Sequence, residues 1–157
     1  MKQFWNAFAA IFRVGPTSFR VFQFGDSAEL ADELSSQVVA GKKRATTTLL
    51  RDFATRGMPV PKPGNFGVVI DGKNAPCSII RMVQVEIKPM RDVDERFAWD
   101  EGGGDRSLAW WRAAYARYFK RQGAREGFEV DDGVEVVLER FEVVWPPEID
   151  NGHPAAG

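Results

Sequence analysis

Three β-rich runs do most to limit what this chain can fold into: "FRVFQF" at 19–24, "FGVVIDGKNAPCSIIRMVQVEI" at 66–87 and "GVEVVLERFEVVW" at 133–145. Only two long helical patterns accompany them, and the loop "RGMPVPKPGN" carries too many prolines to lie inside a sheet. Strands and helices do not alternate, so a doubly wound parallel sheet is excluded. The expectation is an α+β fold around a curled sheet. Residues 46–50 read as a further strand, and Asp71-Gly72 marks a hairpin with room for a connection longer than two residues. A chain of 157 residues that is 44% hydrophobic can bury one core, and no repeat is present.

Both long helices have readable ends. In "GDSAELADELSSQVVAG" Asp26 and Glu29 form a capping-box pattern, Leu30, Leu34 and Val38 recur every four residues, and Gly41 supplies the stop. "SLAWWRAAYARYFKRQG" places Leu108, Trp111, Tyr115, Tyr118 and Phe119 on one stripe, with Asp105 or Ser107 as its cap. The adjacent Trp110 and Trp111 point about 100° apart, which turns one inward and leaves the other for stacking on a base. Between these helices, "VDERFA" reads as a short helix or turn and "EGGGDRS" as a glycine-rich loop.

The start, "MKQFWNAFAAIFRVG", is too short to span a membrane and is interrupted by Asn6; it reads as a helix rather than a leader. Residues 1–18 are thus expected as a helical extension docked through Phe4, Trp5, Phe8 and Phe12. Residues 19–146 form the domain, and 147–157 a polar tail that holds His153.

Composition removes several chemistries. Cys77 is the only cysteine and His153 the only histidine, which excludes an internal disulfide, a cysteine-built zinc site and a histidine triad. No metal or cofactor is expected, and the location expected is cytoplasmic. A formal net charge of −1 advertises neither nucleic acid nor a membrane. The charge is segregated, however: residues 34–51 hold four cations and no acids, and 106–125 hold six cations and no acids. These stripes either converge on one anion-attracting surface, as phosphate recognition requires, or are solvated helix faces. Lys42 to Arg44 have a plain explanation as complements to a helix dipole.

The stretch "GKKRATTTLL" at 41–50 poses the chemical question. Lys43 and Thr46 are three apart, on opposite faces of a regular strand. They cooperate only if the chain turns between them, which Gly41 and a strand beginning near Ala45 allow.

Together, "FGDSAELADELSSQVVAGKKRAT", "PKPGN", "VDERFAWDEGGGDRSLAWWR" and "FEVV" resemble the ASCH family from about Phe19 to Val144. That resemblance implies a PUA-like β-barrel with flanking α-helices. Small bacterial members are amidohydrolases that remove the N4-acyl group of acylated cytosines and cytidines. Their essential lysine looks like Lys43, their threonine like Thr46, and their glutamate, which follows a short His-Ala or Phe-Ala turn, like Glu101. The implied partner is a pyrimidine nucleoside or base. Other members are linked to RNA binding and ribonuclease activity, so an RNA-binding module for single-stranded or structured RNA is the alternative. Lys42, Arg44, Asp105, Trp111, Arg112 and Tyr115 accompany the site as candidate substrate or RNA contacts. Two departures stand out: Gly103 replaces a usual glutamate of longer relatives, and Tyr115 a usual histidine.

Amide hydrolysis needs a nucleophile, a base and a donor for the developing oxyanion. Thr46 supplies the nucleophile or positions a water. A lysine acts as base only when neutral, against an ordinary value near 10.4, and a neighbouring carboxylate opposes that. Glu101 is therefore the expected base and charged Lys43 the oxyanion donor, unless the two share a proton.

Overall fold

A computed structural model describes residues 2–12 and 19–149. His153 and the end of the tail lie outside the described residues, as does the side chain of Phe12.

The three runs and the 46–50 segment build one five-stranded sheet. It comprises β1 (Arg20–Phe22), β2 (Ala45–Leu49), β3 (Phe66–Ile70), β4 (Pro76–Pro89) and β5 (Glu135–Trp145), ordered β1-β3-β4-β5-β2. β1 joins β3 in parallel; every other pairing is antiparallel. The β3–β4 connection is longer than a two-residue turn because the Asp71 carboxylate accepts from the backbone N–H groups of both Lys73 and Ala75. The sheet curls into a half-barrel: Arg20 on β1 reaches Glu139 on β5 at 2.9 Å. Three strand spacings on a flat sheet would separate those strands by about 14 Å.

Helices cover this sheet: α1 (Lys2–Phe12), α2 (Ala28–Val39), α3 (Leu50–Thr55), α4 (Glu95–Glu101) and α5 (Leu108–Glu126). Trp5 and Phe8 of α1 are buried against Val68, Ile70 and Ile79. Among the described residues no helix is long and apolar enough to cross a membrane. One core cluster joins Ala45 and Leu49 to Phe97, Trp111, Phe119 and Leu138; a second joins Phe22, Phe24 and Val38 to Ile80 and Phe141.

Local details differ from the sequence expectation in three places. Ser27, not Asp26, caps α2 by accepting from the Leu30 N–H, and Asp26 instead pairs with Arg121 at 2.9 Å. The strand expected at 46–50 spans Ala45–Leu49, and Leu50 instead opens α3, a start that the β-branched threonines and the paired leucines of "TTTLL" concealed. Glu101 is the last residue of α4 rather than part of a loop, and the glycine run begins at its C-cap, Gly102.

Two of these ends are fastened together. The C-terminus of α2 closes with Gly41 at φ 87°, its N–H on the Val38 carbonyl and the Lys42 N–H on that of Gln37, the double bond of a Schellman stop. The chain then passes the end of α4, where the Arg44 N–H donates to the Asp100 carbonyl at 2.7 Å. Gly102 has φ 82°, and a Cβ there would stand 2.3 Å from the Lys42 carbonyl oxygen. Gly102→Ala should therefore combine left-handed strain of about 1–2 kcal/mol with a backbone clash. Urea unfolding should show at least 2 kcal/mol lost, about the larger strain value alone; a loss below about 0.5 kcal/mol, the level of an ordinary surface change, would mean that the two ends are not in contact.

Candidate functional site

Fastening residues 42–44 to the end of α4 decides which members of the basic cluster face inward. Lys43 is 2% exposed and Glu101 5% exposed. The Lys43 ammonium donates to Glu101 Oε2 at 2.9 Å and to the Ala45 carbonyl at 2.7 Å, and lies 5.0 Å from the Phe24 ring centre. An ammonium has three N–H donors, so one remains for a ligand. Glu101 is a hub: Thr47 donates to Oε1 at 2.6 Å, and the Tyr115 hydroxyl donates to Oε2 at 2.9 Å. Three of its roughly four acceptor positions are then filled.

This hub borders a cavity of about 700 Å³. Its walls include Phe22 and Phe24, the β2 threonines and the face of α5 from Trp110 to Arg125. Burial and the Glu101 charge push the Tyr115 hydroxyl well above its ordinary range, so the phenol is neutral and donates.

The structure brings Lys43, Glu101 and Tyr115 together by direct hydrogen bonds. Thr46 also lines the cavity, but the hydroxyl bonded to Glu101 belongs to the next residue, Thr47. Strand alternation explains the division. Thr47 lies on the face of Ala45 and Leu49, whereas Thr46 is opposite Glu139 on β5.

The other candidates are placed elsewhere. The Arg44 guanidinium closes the end of α2 on the Val38 carbonyl at 2.8 Å, and Lys42 reaches the Gly104 carbonyl at 3.5 Å. Asp105 accepts from the Ser107 N–H in the turn before α5, while Ser107 is the cap. Arg112 is exposed and reaches the Arg91 carbonyl. Trp111, 1% exposed, belongs to the core beside Phe97, and Trp110 is the tryptophan on the cavity wall. The Trp110 ring rests on Gly103 and Gly104, where a Cβ would come within 2.3 Å of it. The two basic stripes meet only in part: of the first, Lys43 alone lines the cavity, where Glu101 holds it, and the second supplies Arg117, Arg121 and Arg125 to the same cavity.

Sequence reasoning passed over a second buried pair. Glu139, wholly buried, receives Arg20 through both oxygens at 2.9 and 3.2 Å, and Arg20 stacks on Phe22 at 4.0 Å. Burial raises the Glu139 carboxyl above its usual range, against the lowering effect of Arg20. The available signal was an acid inside the run "VVLE", whose residues at 136–139 are all buried. Among the described residues no group of three or more His, Cys, Asp or Glu is placed to hold a metal ion.

The family model for the ASCH domain matches residues 20–145. Two crystal structures share the PUA-like fold. The ASCH domain from Lactobacillus crispatus JV V101 is 30% identical, with 91% of this chain and 92% of that chain covered and a TM-score of 0.82. A protein from Enterococcus faecalis V583 is 34% identical, with 91% of each chain covered and a TM-score of 0.82. No match is found among curated proteins.

Removing one member of the buried pair leaves an uncompensated charge, which typically costs about 3–5 kcal/mol, whereas removing both is far milder. Lys43→Met should therefore destabilise by about 3 kcal/mol in urea unfolding, and adding Glu101→Gln should restore most of that loss. Additive losses would contradict the pairing. A second expectation concerns alkaline pH. Because the folded Tyr115 hydroxyl titrates above its unfolded value near 10, its contribution is whole below about pH 10 and is lost as pH climbs toward the folded value. Stability should fall along that limb, and Tyr115→Phe should flatten it in unfolding experiments across pH; an unchanged limb would count against a buried phenol.

Proposed function

The chain belongs to the ASCH domain family, and from that premise we propose that it is an amidohydrolase of N4-acylated cytosine or cytidine. The observation that carries this reading is the Lys43–Glu101 pair, buried yet bordering a cavity large enough for a nucleoside-sized ligand. A structural ion pair has no need of a cavity beside it. A hydrolytic one does.

In the proposed reaction a water, oriented by the Thr46 hydroxyl, gives a proton to the open acceptor position of Glu101 and attacks the acyl carbonyl. The carbonyl π electrons move to oxygen, and the oxyanion accepts from the third N–H of Lys43. Collapse re-forms the carbonyl and breaks the bond to N4, which takes the proton from Glu101, leaving a carboxylic acid and cytosine's free amine. Thr47 and Tyr115 are positioning residues that hold the carboxylate from two sides. Lys43 keeps its charge throughout.

The cation distribution favours a small ligand over a long RNA. Lys42 and Arg44 reach carbonyls, and Arg51 stacks on Phe128 at 3.5 Å, so these cations do not form a continuous track for a phosphate backbone.

Incubation with N4-acetylcytidine should release cytidine. Glu101→Gln and Lys43→Ala, each checked for folding by circular dichroism, should lower kcat by at least about a hundredfold, as the loss of an oxyanion donor or base does elsewhere. Thr46→Ala should lower kcat more than Thr47→Ala. Folded wild-type protein that releases no cytidine would overturn the reading.

A further inference from the structure

Resting on the cytidine reading, we infer that the ligand carries a terminal phosphate: the cavity is a nucleotide site, and Arg117 of α5 receives the phosphate beside Arg121. The basic stripe of α5 faces the cavity. Its residues 117, 121 and 125 recur every four positions, so they share one helix face, and all three line the cavity. They are not equivalent. Arg121 and Arg125 both reach Asp26, at 2.9 and 3.5 Å, so two guanidinium groups share one carboxylate. Arg121 draws the Asp26 carboxyl below its usual range, which keeps that carboxylate ionised. Among the described residues no hydrogen bond or ion pair engages the Arg117 side chain.

Position makes the unengaged cation useful. Trp110, Ala114, Arg117 and Arg121 follow one another along the same cavity wall, and Trp110 rests on the glycines that follow Glu101. Tyr115, the hub's partner on α5, lines the same cavity two residues before Arg117, and the arginines continue the wall from there toward the end of the helix. Seven residues of helix separate Trp110 from Arg117, a rise of about 10 Å. Glu126, the acid of α5 on this wall, lies nine residues beyond Arg117, about 13 Å along the axis. That exceeds the screening length of about 8 Å at physiological ionic strength, so it does little to neutralise Arg117. Of the other cations lining the cavity, Lys43 is balanced by Glu101 and Arg20 by Glu139, and Arg56 stands apart at the end of α3. A planar guanidinium that is always charged suits a dianionic phosphate oxygen pair better than any neutral group of a nucleoside.

Calorimetric titration of the full chain with cytidine, cytidine 5′-monophosphate and cytidylyl-cytidine tests this without requiring turnover. The monophosphate should bind about tenfold more tightly than cytidine at low salt, the scale of one partly exposed charge-assisted contact. The advantage should shrink at high salt and vanish in Arg117→Ala, while cytidine affinity stays unchanged. Equal affinities for cytidine and its monophosphate would overturn the inference and leave the hydrolase reading intact. An equal gain for the dinucleotide, whose phosphate is internal, would overturn the terminal-phosphate assignment, and a preference untouched by Arg117→Ala but lost in Arg56→Ala would overturn the residue assignment. Monophosphate binding with no hydrolysis of its N4-acetyl form would sustain the inference and sink the hydrolase reading.

Discussion

The buried ion pair between Lys43 and Glu101 is the constraint around which the rest of the molecule is arranged. Two charges with side chains 3% and 5% exposed carry a desolvation cost of several kcal/mol each, offset only when their geometry is good and their remaining sites are satisfied. The fold meets that condition with backbone rather than with more charge. A Schellman stop turns the chain at Gly41, one hydrogen bond ties Arg44 to Asp100, and the close approach of Gly102 to Lys42 locks the two segments. Thr47 and Tyr115 then complete the carboxylate. A pair whose assembly needs four elements has little freedom to drift, which is the preorganisation that electrostatic catalysis requires.

Much of this was readable in the sequence because it is locally encoded. The stop of α2 and the start of α5 announce themselves through Gly41 and Ser107, residues whose chemistry acts within a few positions, whereas the cap of α2 is Ser27, one residue beyond the expected Asp26. The α+β class followed from strand runs without alternation. Lys43 and Glu101 came from family resemblance, not from spacing: 58 residues separate them, and nothing in either segment specifies the other.

The features that escaped are those without a local signature. The N-cap of α3 is Leu49, the last residue of β2, which makes no side-chain capping bond, so the helix start resembles a continuing strand. Glu101 sits in front of three glycines and looked like part of their loop, although Gly102 is the helix stop itself. Thr47 rather than Thr46 meets Glu101 because strand register, fixed by pairing with β5, assigns the faces. Arg20 and Glu139 are 119 residues apart and meet only because the sheet curls.

The proposed chemistry requires a charged, water-excluded ammonium at a ligand cavity. Lysine-selective NMR that follows the Lys43 Nζ group during titration with cytidine addresses it directly. The expected result is a slowly exchanging ammonium signal, absent from Lys43→Met, that shifts to saturation as ligand is added. A Lys43 signal that exchanges as fast as those of surface lysines and ignores the ligand would contradict it.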